Sequence, residues 1–224
     1  SGTGNITFTD ASVVNTAASN KAPTNITLSK NAISEAASSL VIGTLTTADS
    51  DQTTGVKFKY ALAEITGSDY AAFSINQSTG ELSLKAQPDY ETKSSYSVTI
   101  LSTDEGGKTF SKSFTVSITD ASEAPTLTVP TGGSVTEDAT TSTITGSLVG
   151  SDPEDDSLTY SVVGSTPSSG SYSVTGTYGT LVLNASTGAY TYTLNNSATV
   201  VQALGASSSE TETFSVKVSD GTNT

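Results

Sequence analysis

The sequence predicts an all-β protein of antiparallel β-sandwiches in tandem, and three observations carry this prediction. Short segments alternate large apolar with small polar residues, which is the period of a half-buried strand. Turn-forming segments rich in Gly, Asp and Ser separate them at the spacing typical of sandwiches. Several words of sequence also recur about a hundred residues apart, which indicates a repeated module.

The recurring words keep one register along the chain. Pro23 precedes Glu35 by twelve residues, and Pro125 precedes Glu137 by the same interval. The word N-Q-S-T-G at residues 76–80 returns as N-A-S-T-G at residues 184–188. The word I-T-F-T-D-A-S at residues 6–12 returns as V-S-I-T-D-A-S at residues 116–122. This register indicates a tandem array of one module.

The clearest strand patterns lie in both halves of the chain. Period-two alternation predicts strands at residues 96–100, 114–118, 159–162, 190–194 and 214–218. Residues 199–204 are the one helical pattern, and Gly205 stands where a helix C-terminus is expected. Because each strand alternates, one face is predicted to be buried and the other solvated.

These signals divide the chain into three parts. Residues 1–21 hold an N-terminal strand and a linker, residues 22–122 form one sandwich, and residues 123–224 form a second that lacks its last strand. A sandwich without an edge strand exposes backbone groups and core. We hypothesise that the strand at residues 5–9 fills such a gap, in the same chain or in a neighbour. The alternative is that the sequence was divided without regard to module boundaries.

The charge of the chain limits its partners. The 224 residues include 22 acidic and 9 basic ones, for a formal net charge of −13 and a pI near 4.1. This charge argues against nucleic acid and anionic membranes as partners and favours divalent cations. No apolar segment approaches the ~20 residues of a membrane span. The chain has no Cys, His, Met or Trp. We interpret it as a piece of a longer protein.

Carboxylates recur near the ends of the modules. Calcium takes six to eight oxygen ligands, and without an EF-hand signature several segments must supply them. An acidic residue in a turn is often only solvated or caps its own turn, so each carboxylate alone is ambiguous. The recurrence in register favours metal binding. The candidates are Glu35, Asp89, Glu91, Asp120, Glu123, Asp152, Glu154, Asp155, Asp220, Asp49, Asp51 and Asp104.

Residues 22–125 resemble a cadherin repeat. The words that carry the resemblance are A-P at 22–23, I-S-E at 33–35, A-D-S-D at 48–51, D-Y-E at 89–91, S-T-D at 102–104 and D-A-S-E-A-P at 120–125. The family's linker usually has Asn and Asp where this chain has Ser122 and Glu123. The resemblance implies an Ig-like antiparallel sandwich with calcium between consecutive modules.

The second module resembles the VCBS-type repeats of giant bacterial RTX-type adhesins. The words include V-T-E-D at 135–138, L-T-Y-S-V at 158–162, G-T-Y-G-T-L at 176–181 and F-S-V-K-V-S-D-G at 214–221. Such repeats occur in many tandem copies between a cell anchor and a ligand-binding tip. The resemblance implies an extracellular extender region at a bacterial cell surface, with a role in adhesion and biofilm.

The cadherin arrangement implies two calcium-binding sets. The joint would use Glu35, Asp89 and Glu91 of the first module, Asp120 and Glu123 of the linker, and Asp152, Glu154 or Asp155, and Asp220 of the second. The outer end of the first module would use Asp49, Asp51, Asp104 and Asp10. The implied partners are neighbouring modules of the same long chain, and strand exchange with another copy is a further expectation.

Catalytic function has little support in the sequence. The absence of His excludes a Ser-His-Asp triad. Asp89 and Glu91 could meet the ~5–10 Å spacing of glycosidase carboxylates, but no Trp platform accompanies them. We therefore expect a structural, non-enzymatic role in which calcium stiffens the chain. Two alternatives stay open: a calcium-dependent module that binds a sugar or a protein, and an accessory domain of a secreted polysaccharide enzyme.

Overall fold

The computed structural model describes residues 19–51, 58–205 and 207–224. The chain divides into two compact units, Ser1–Ala121 and Ser122–Thr224, hereafter unit 1 and unit 2. The predicted strand at residues 5–9 and the candidate ligand Asp10 lie outside the described residues. Each unit is a mainly antiparallel β-structure with its own hydrophobic core, which confirms the predicted fold class.

Unit 1 is a sandwich of two four-stranded sheets. One sheet has the order β1-β3-β6-β5 and the other the order β2-β8-β7-β4. A single 3₁₀ turn at Tyr70–Ala72 precedes β5. The strands are β1 (Asn25–Leu28), β2 (Ala32–Ser34), β3 (Val41–Ala48), β4 (Lys59–Leu62), β5 (Phe73–Ile75), β6 (Glu81–Leu84), β7 (Ser95–Thr103) and β8 (Thr109–Thr119).

The core of unit 1 lies between these sheets. Period-two alternation turns every second side chain inward, so β7 buries Val98 and Ile100 and β8 buries Val116 and Ile118. The β7–β8 hairpin pairs antiparallel from Ser95 with Ser117 to Thr103 with Thr109. Strand β2 then adds to the outer edge of β8 in the parallel direction. Strand β8 is therefore held on both sides.

Unit 2 forms one four-stranded sheet and two strand pairs. The sheet has the order β10-β15-β14-β13, and the pairs are β9 with β11 and β12 with β16. A short helix, α1 (Thr199–Gln202), follows β15. The strands are β9 (Thr126–Thr128), β10 (Thr143–Ser147), β11 (Val149–Ser151), β12 (Thr159–Val162), β13 (Ser171–Thr175), β14 (Gly179–Asn184), β15 (Ala189–Leu194) and β16 (Val216–Ser219).

The repeated N-x-S-T-G word forms the same turn in both units. In unit 1 the backbone of Gly80 donates to Asn76 O at 2.7 Å, and its carbonyl accepts from Leu45 N at 2.9 Å. In unit 2, Gly188 donates to Asn184 O at 3.1 Å and accepts from Leu148 N at 2.9 Å. Both glycines have positive φ, +73° and +68°, which L residues rarely adopt. The recurrence seen in the sequence is thus a recurrence of structure.

The predicted strands are confirmed with small shifts of their bounds. Strands β7, β8, β12 and β15 cover four of the predicted segments. The predicted strand at residues 214–218 instead begins at Val216, and the helix ends at Gln202 rather than at residue 204. Among the described residues, no helix has both the length and the apolar character needed to cross a bilayer.

Candidate metal centre

Glu35 is a carboxylate fixed by backbone groups at one end of unit 1. It follows β2 directly, and its own amide donates to Thr119 O, the last residue of β8, at 3.2 Å. Oε2 accepts from Tyr90 N at 2.5 Å, and Oε1 accepts from Ala121 N at 2.6 Å. The side chain is only 4 % exposed. Because a buried carboxylate needs hydrogen-bond donors, these two amides define its position.

Glu35, Glu91 and Asp120 form a three-carboxylate group, which we call the unit 1 acidic group. One oxygen from each side chain lies within 4.8 Å of one oxygen from each of the others. Glu35 is buried, whereas Glu91 and Asp120 are exposed. Asp120 is placed there by β8, which ends at the preceding residue. The group therefore gathers three segments that are far apart in sequence.

The chemistry of this group fits a hard divalent cation. Carboxylates about 4 Å apart repel by roughly 1 kcal/mol per pair in bulk water and about 4 kcal/mol near a protein surface. A bound cation would remove that repulsion. Each Glu35 oxygen accepts one hydrogen bond from a backbone amide and has a second lone pair that could bind the cation. All three donors are oxygens, which suit Ca²⁺ or Mg²⁺ better than a transition metal. Calcium coordination would be completed by backbone carbonyls or water.

Asp89 was predicted in the same set, and in the structure it also caps its own turn. Oδ1 accepts from Thr92 N at 2.8 Å and Oδ2 from the Thr92 hydroxyl at 2.9 Å. The hydrogen bond from the backbone amide of Thr92 lowers the pKa of Asp89 below its usual value. The three carboxylates whose oxygens lie within 4.8 Å of one another do not include that of Asp89. Glu35 also accepts a hydrogen bond on each oxygen, so the role of Asp89 as a ligand stays a prediction.

A second set of acidic side chains lies at the opposite end of unit 1, where β7 turns into β8. Asp104 is 5 % exposed; its Oδ1 accepts from Lys108 N at 2.7 Å and its Oδ2 from Asn20 Nδ2 at 3.1 Å. Asp51 Oδ2 accepts from Lys21 N at 2.8 Å. Asp49 Oδ2 is buried and has no hydrogen-bond partner among the described residues. An orphaned buried carboxylate oxygen is consistent with a cation as its missing partner.

Asp49 and Asp51 perturb each other in opposite directions. Their mutual side-chain hydrogen bond raises the pKa of Asp49, and burial and the charges of Asp51 and Asp104 act in the same direction. The same hydrogen bond lowers the pKa of Asp51, assisted by the Lys21 amide. One carboxyl of the pair thus holds its proton more strongly than the other. This opposition is typical of two carboxylates that share one site.

The start of unit 2 carries a third set of acidic groups. Asp152 is 7 % exposed; its Oδ1 accepts from Asp156 N at 3.1 Å, and its Oδ2 has no partner among the described residues. Glu154 Oε2 accepts from Glu123 N at 3.2 Å, whereas Oε1 is likewise orphaned. Asp155 adopts a positive φ of 58° in this turn. Two orphaned carboxylate oxygens again fit an oxygen-seeking cation.

Asp220 joins this region through Asn223. Asp220 Oδ1 accepts hydrogen bonds from the backbone amides of Thr222 and Asn223, each at 2.5 Å. The hydrogen bond from the Asn223 backbone amide lowers the pKa of Asp220. Asn223 Nδ2 donates to Asp220 Oδ2 at 3.1 Å, to Ser122 Oγ at 2.8 Å and to Glu123 O at 3.0 Å. The side-chain amide of Asn223 thus links the last residues of unit 2 to its first residues.

Two asparagines at these acidic sets were missed in the sequence. Asn20 contacts Asp104, and Asn223 contacts Asp220. Both lie within three residues of a word that was recognised, A-P at 22–23 and S-D-G at 219–221. An amide oxygen is also a calcium ligand, so a search for Asn next to these words could have found them.

The comparisons with known families follow the division into two units. Residues 30–119 match the cadherin domain, and residues 122–224 match the bacterial cadherin-like domain. The chain therefore contains a cadherin domain followed by a bacterial cadherin-like domain, which confirms the cadherin part of the resemblance. Such domains are typically extracellular, non-enzymatic modules of calcium-dependent adhesion or extension. No curated protein matches the sequence.

The solved structures to which this chain is similar include cadherin and protocadherin fragments with several domains. Human protocadherin-24 EC1-2 is 19 % identical, with 89 % of this chain and 94 % of that chain covered at a TM-score of 0.48. Mouse cadherin-23 EC22-24 is 22 % identical, with 77 % and 54 % covered at 0.44. Protocadherin gamma B2 domains 3-6 are 17 % identical, with 76 % and 38 % covered at 0.45. This chain thus spans less than half of the protocadherin gamma B2 fragment.

Proposed function

We propose that this chain is a calcium-rigidified extender region of a large secreted or cell-surface bacterial adhesin. Its nearest partners would be neighbouring modules of the same long chain, as in VCBS-type repeats of RTX-type adhesins. The observation that carries the proposal is the unit 1 acidic group, in which Glu35, Glu91 and Asp120 converge within 4.8 Å. Its role would be structural, in adhesion and biofilm.

The position of Asp120 explains how calcium would stiffen the chain. Asp120 follows β8, and the next residue, Ala121, donates its amide to Glu35 at 2.6 Å. A cation held by the unit 1 acidic group would fix Asp120, and through it the segment at residues 120–125. Without the cation, carboxylate repulsion opposes the same arrangement. The predicted ligands Asp49, Asp51, Asp104, Asp152, Glu154, Asp155 and Asp220 would bind further ions.

The charge and the expected affinity suit an extracellular setting. Extracellular calcium modules bind at about 10⁻⁴–10⁻³ M, so external but not cytosolic calcium would load them. The formal net charge of −13 raises the local concentration of cations. Binding should weaken as the carboxylates are protonated.

A paired variant tests this proposal. Glu91→Gln with Asp120→Asn removes two ligands, whereas Glu64→Gln with Glu210→Gln changes the net charge equally at exposed positions outside the acidic sets. Calcium calorimetry should show one site fewer in the first variant only. NMR order parameters of residues 120–125 should rise with calcium in the parent and the control. Equal titrations of all three proteins would reject the proposal.

A further inference from the structure

Two strands near opposite ends of the unit 1 chain are joined in the parallel direction. Strand β2 lies beside the last three residues of β8 over its whole length. Ser117 N donates to Asn31 O at 2.9 Å, just before β2 begins. Glu35 N donates to Thr119 O at 3.2 Å, just after β2 ends. Backbone hydrogen bonds thus hold the early part of unit 1 to its last strand.

The direction of this pairing decides how the two strands respond to tension. The chain approaches β2 from the side of residue 22 and leaves β8 at residue 120. Because the strands are parallel, pulling these two ends apart draws β2 and β8 in opposite directions along their shared axis. All hydrogen bonds between them are then strained together, whereas a pull across the strands would break them one after another. The pair is therefore loaded in shear.

Buried side chains oppose the same sliding motion. Ile33 of β2 lies opposite Ile118 of β8, and the two residues are only 7 % and 3 % exposed. Because side chains alternate between the two faces of a strand, a slide of one residue would turn Ile33 away from the core. Sliding therefore costs buried apolar contact as well as hydrogen bonds.

Lys112 ties β8 to the strand at which tension would enter unit 1. Strand β1 belongs to one sheet of the sandwich and β8 to the other. Lys112 Nζ donates to Asn25 Oδ1 at 2.9 Å and to Ile26 O at 2.8 Å, so it holds the first two residues of β1. Nζ also lies 5.5 Å from the centre of the Phe114 ring, within the range of cation–π attraction. Hydrogen bonds from a charged donor are stronger than those between neutral groups.

We propose that unit 1 is a tension-resistant module, in which the β2–β8 pair and the Lys112 contact oppose extension of the chain. The proposal rests on the proposed function, because an extender is the setting in which tension reaches unit 1. None of these contacts uses a carboxylate, so the resistance does not require calcium. Calcium would add to it, because Glu35 directly follows β2 and Asp120 directly follows β8.

Two pulling directions test the proposal in the full chain. The sequence has no Cys, so a pair of introduced cysteines defines where force is applied. Lys21→Cys with Ser122→Cys loads β2 and β8 in shear. Ser94→Cys with Ser122→Cys peels β7 from β8, because Ser94 O accepts from Ile118 N at the open end of that hairpin. At constant force in a calcium chelator, the sheared chain should unfold at least about tenfold more slowly than the peeled chain.

A matched pair of lysine variants tests the Lys112 contact. Lys112→Met removes the ammonium group and keeps most of the side-chain stem. Lys85→Met is the control, since Lys85 Nζ also donates to a backbone carbonyl, Ala71 O at 2.8 Å, away from β1, β2 and β8. Lys112→Met should speed unfolding in shear about tenfold and lower the ratio of the two directions. Lys85→Met should change either rate less than about threefold and leave the ratio unchanged.

The ratio of the two unfolding rates separates tension resistance from stability. A loss of stability alone would speed unfolding in both directions. Equal rates for shear and peeling, or a ratio that Lys112→Met leaves unchanged, would overturn the proposal. Repeating the shear measurement in millimolar calcium tests the proposed function separately. A chain that shows no response to calcium would count against the proposed function and leave the measurements in chelator intact.

Discussion

Unit 1 and unit 2 share sequence words and turns, but they differ in how their strands are paired. In unit 1, β8 is held between β7 and β2 and seals one side of the core. In unit 2, β16 is paired only with β12 among the described residues. Twelve buried residues form the core of unit 1, whereas six form the principal cluster of unit 2. The described part of unit 2 therefore buries a smaller cluster of apolar side chains than unit 1 does.

The acidic residues differ in how the fold satisfies their carboxylate oxygens. Glu35 is satisfied by two amides and positions a group of three carboxylates. Asp49 in unit 1, and Asp152 and Glu154 in unit 2, each keep one orphaned oxygen. A carboxylate can thus be fixed by the fold in advance or be left to a ligand. Variants that act on one unit at a time sharpen this contrast.

Core truncation should give the largest effect and should separate the two units. Phe73 is fully buried and meets Tyr96 edge to face at 6.1 Å. Phe73→Ala should destabilise unit 1 by about 3–5 kcal/mol. Leu183→Ala should cost unit 2 about 2–3 kcal/mol, near the lower end of the usual range, because Leu183 already lines an open cavity of about 900 Å³ in unit 2.

Urea unfolding followed by circular dichroism measures both core variants. Each variant should shift one transition and leave the other in place. Val200→Ala, at an exposed position, is the control and should stay within about 0.5 kcal/mol. A single shared transition that both variants shift equally would contradict independent cores.

The repeated turn gives a second comparison. Gly80→Ala and Gly188→Ala both force an L residue to positive φ, at a cost of about 1–2 kcal/mol. At Gly188 a Cβ would also lie 2.7 Å from Leu148 O, whereas at Gly80 the nearest atom, Leu45 O, is 3.2 Å away. Gly188→Ala should therefore be the more destabilising change in denaturant titrations. The reverse order would show that unit 2 relaxes more easily than its packing indicates.

Asp49 and Asp51 should respond with opposite signs when calcium is removed. The pKa of Asp49 is raised, so its stabilising contribution is lost as pH rises through that value. The pKa of Asp51 is lowered, so its contribution is present above the unfolded value and is lost as pH falls. At pH 7 in chelator, Asp49→Asn should raise the thermal midpoint and Asp51→Asn should lower it. Both should weaken calcium binding, and shifts of equal sign in chelator would contradict the shared site.

The smallest expected effect is at an exposed ion pair. Asp69 is paired with Lys93 and accepts from Ser97 N at 2.8 Å, and the Lys93 interaction is the main cause of its lowered pKa. Asp69→Asn should cost unit 1 less than about 1 kcal/mol at pH 7. Because the pKa is lowered in the folded state, this cost should disappear as pH falls through it. Stability curves at pH 7 and pH 3 measure this difference, and an equal cost at both would contradict it.

The fold was largely predictable from local pattern. Period two predicted β7, β8, β12 and β15, because alternation is a property of neighbouring residues. The N-x-S-T-G words indicated a repeated module, and in the structure both form the same turn with Gly at positive φ. Strand β2 was not predicted, because it has only three residues and depends on parallel pairing with β8. Tertiary pairing of that kind leaves little trace in a short segment.

The candidate site was less predictable than the fold. The words suggested Glu35, Asp89, Glu91 and Asp120 together. Three of these, Glu35, Glu91 and Asp120, have oxygens within 4.8 Å of one another. Asp89 accepts hydrogen bonds from Thr92 on both oxygens, and its role as a ligand stays a prediction. Local hydrogen bonds compete with ligand roles for Asp, and sequence alone does not decide between them. Asn223 was missed because its partners Ser122 and Glu123 lie at the other end of unit 2.

Diffraction from crystals of the chain grown in millimolar calcium tests the central claim most directly. The account predicts density within about 2.3–2.6 Å of carboxylate oxygens from Glu35, Glu91 and Asp120. That density should carry the anomalous signal of calcium and should be absent from Glu91→Gln, Asp120→Asn crystals. Ordered water at hydrogen-bond distance from those three carboxylates, with no anomalous signal, would contradict the account.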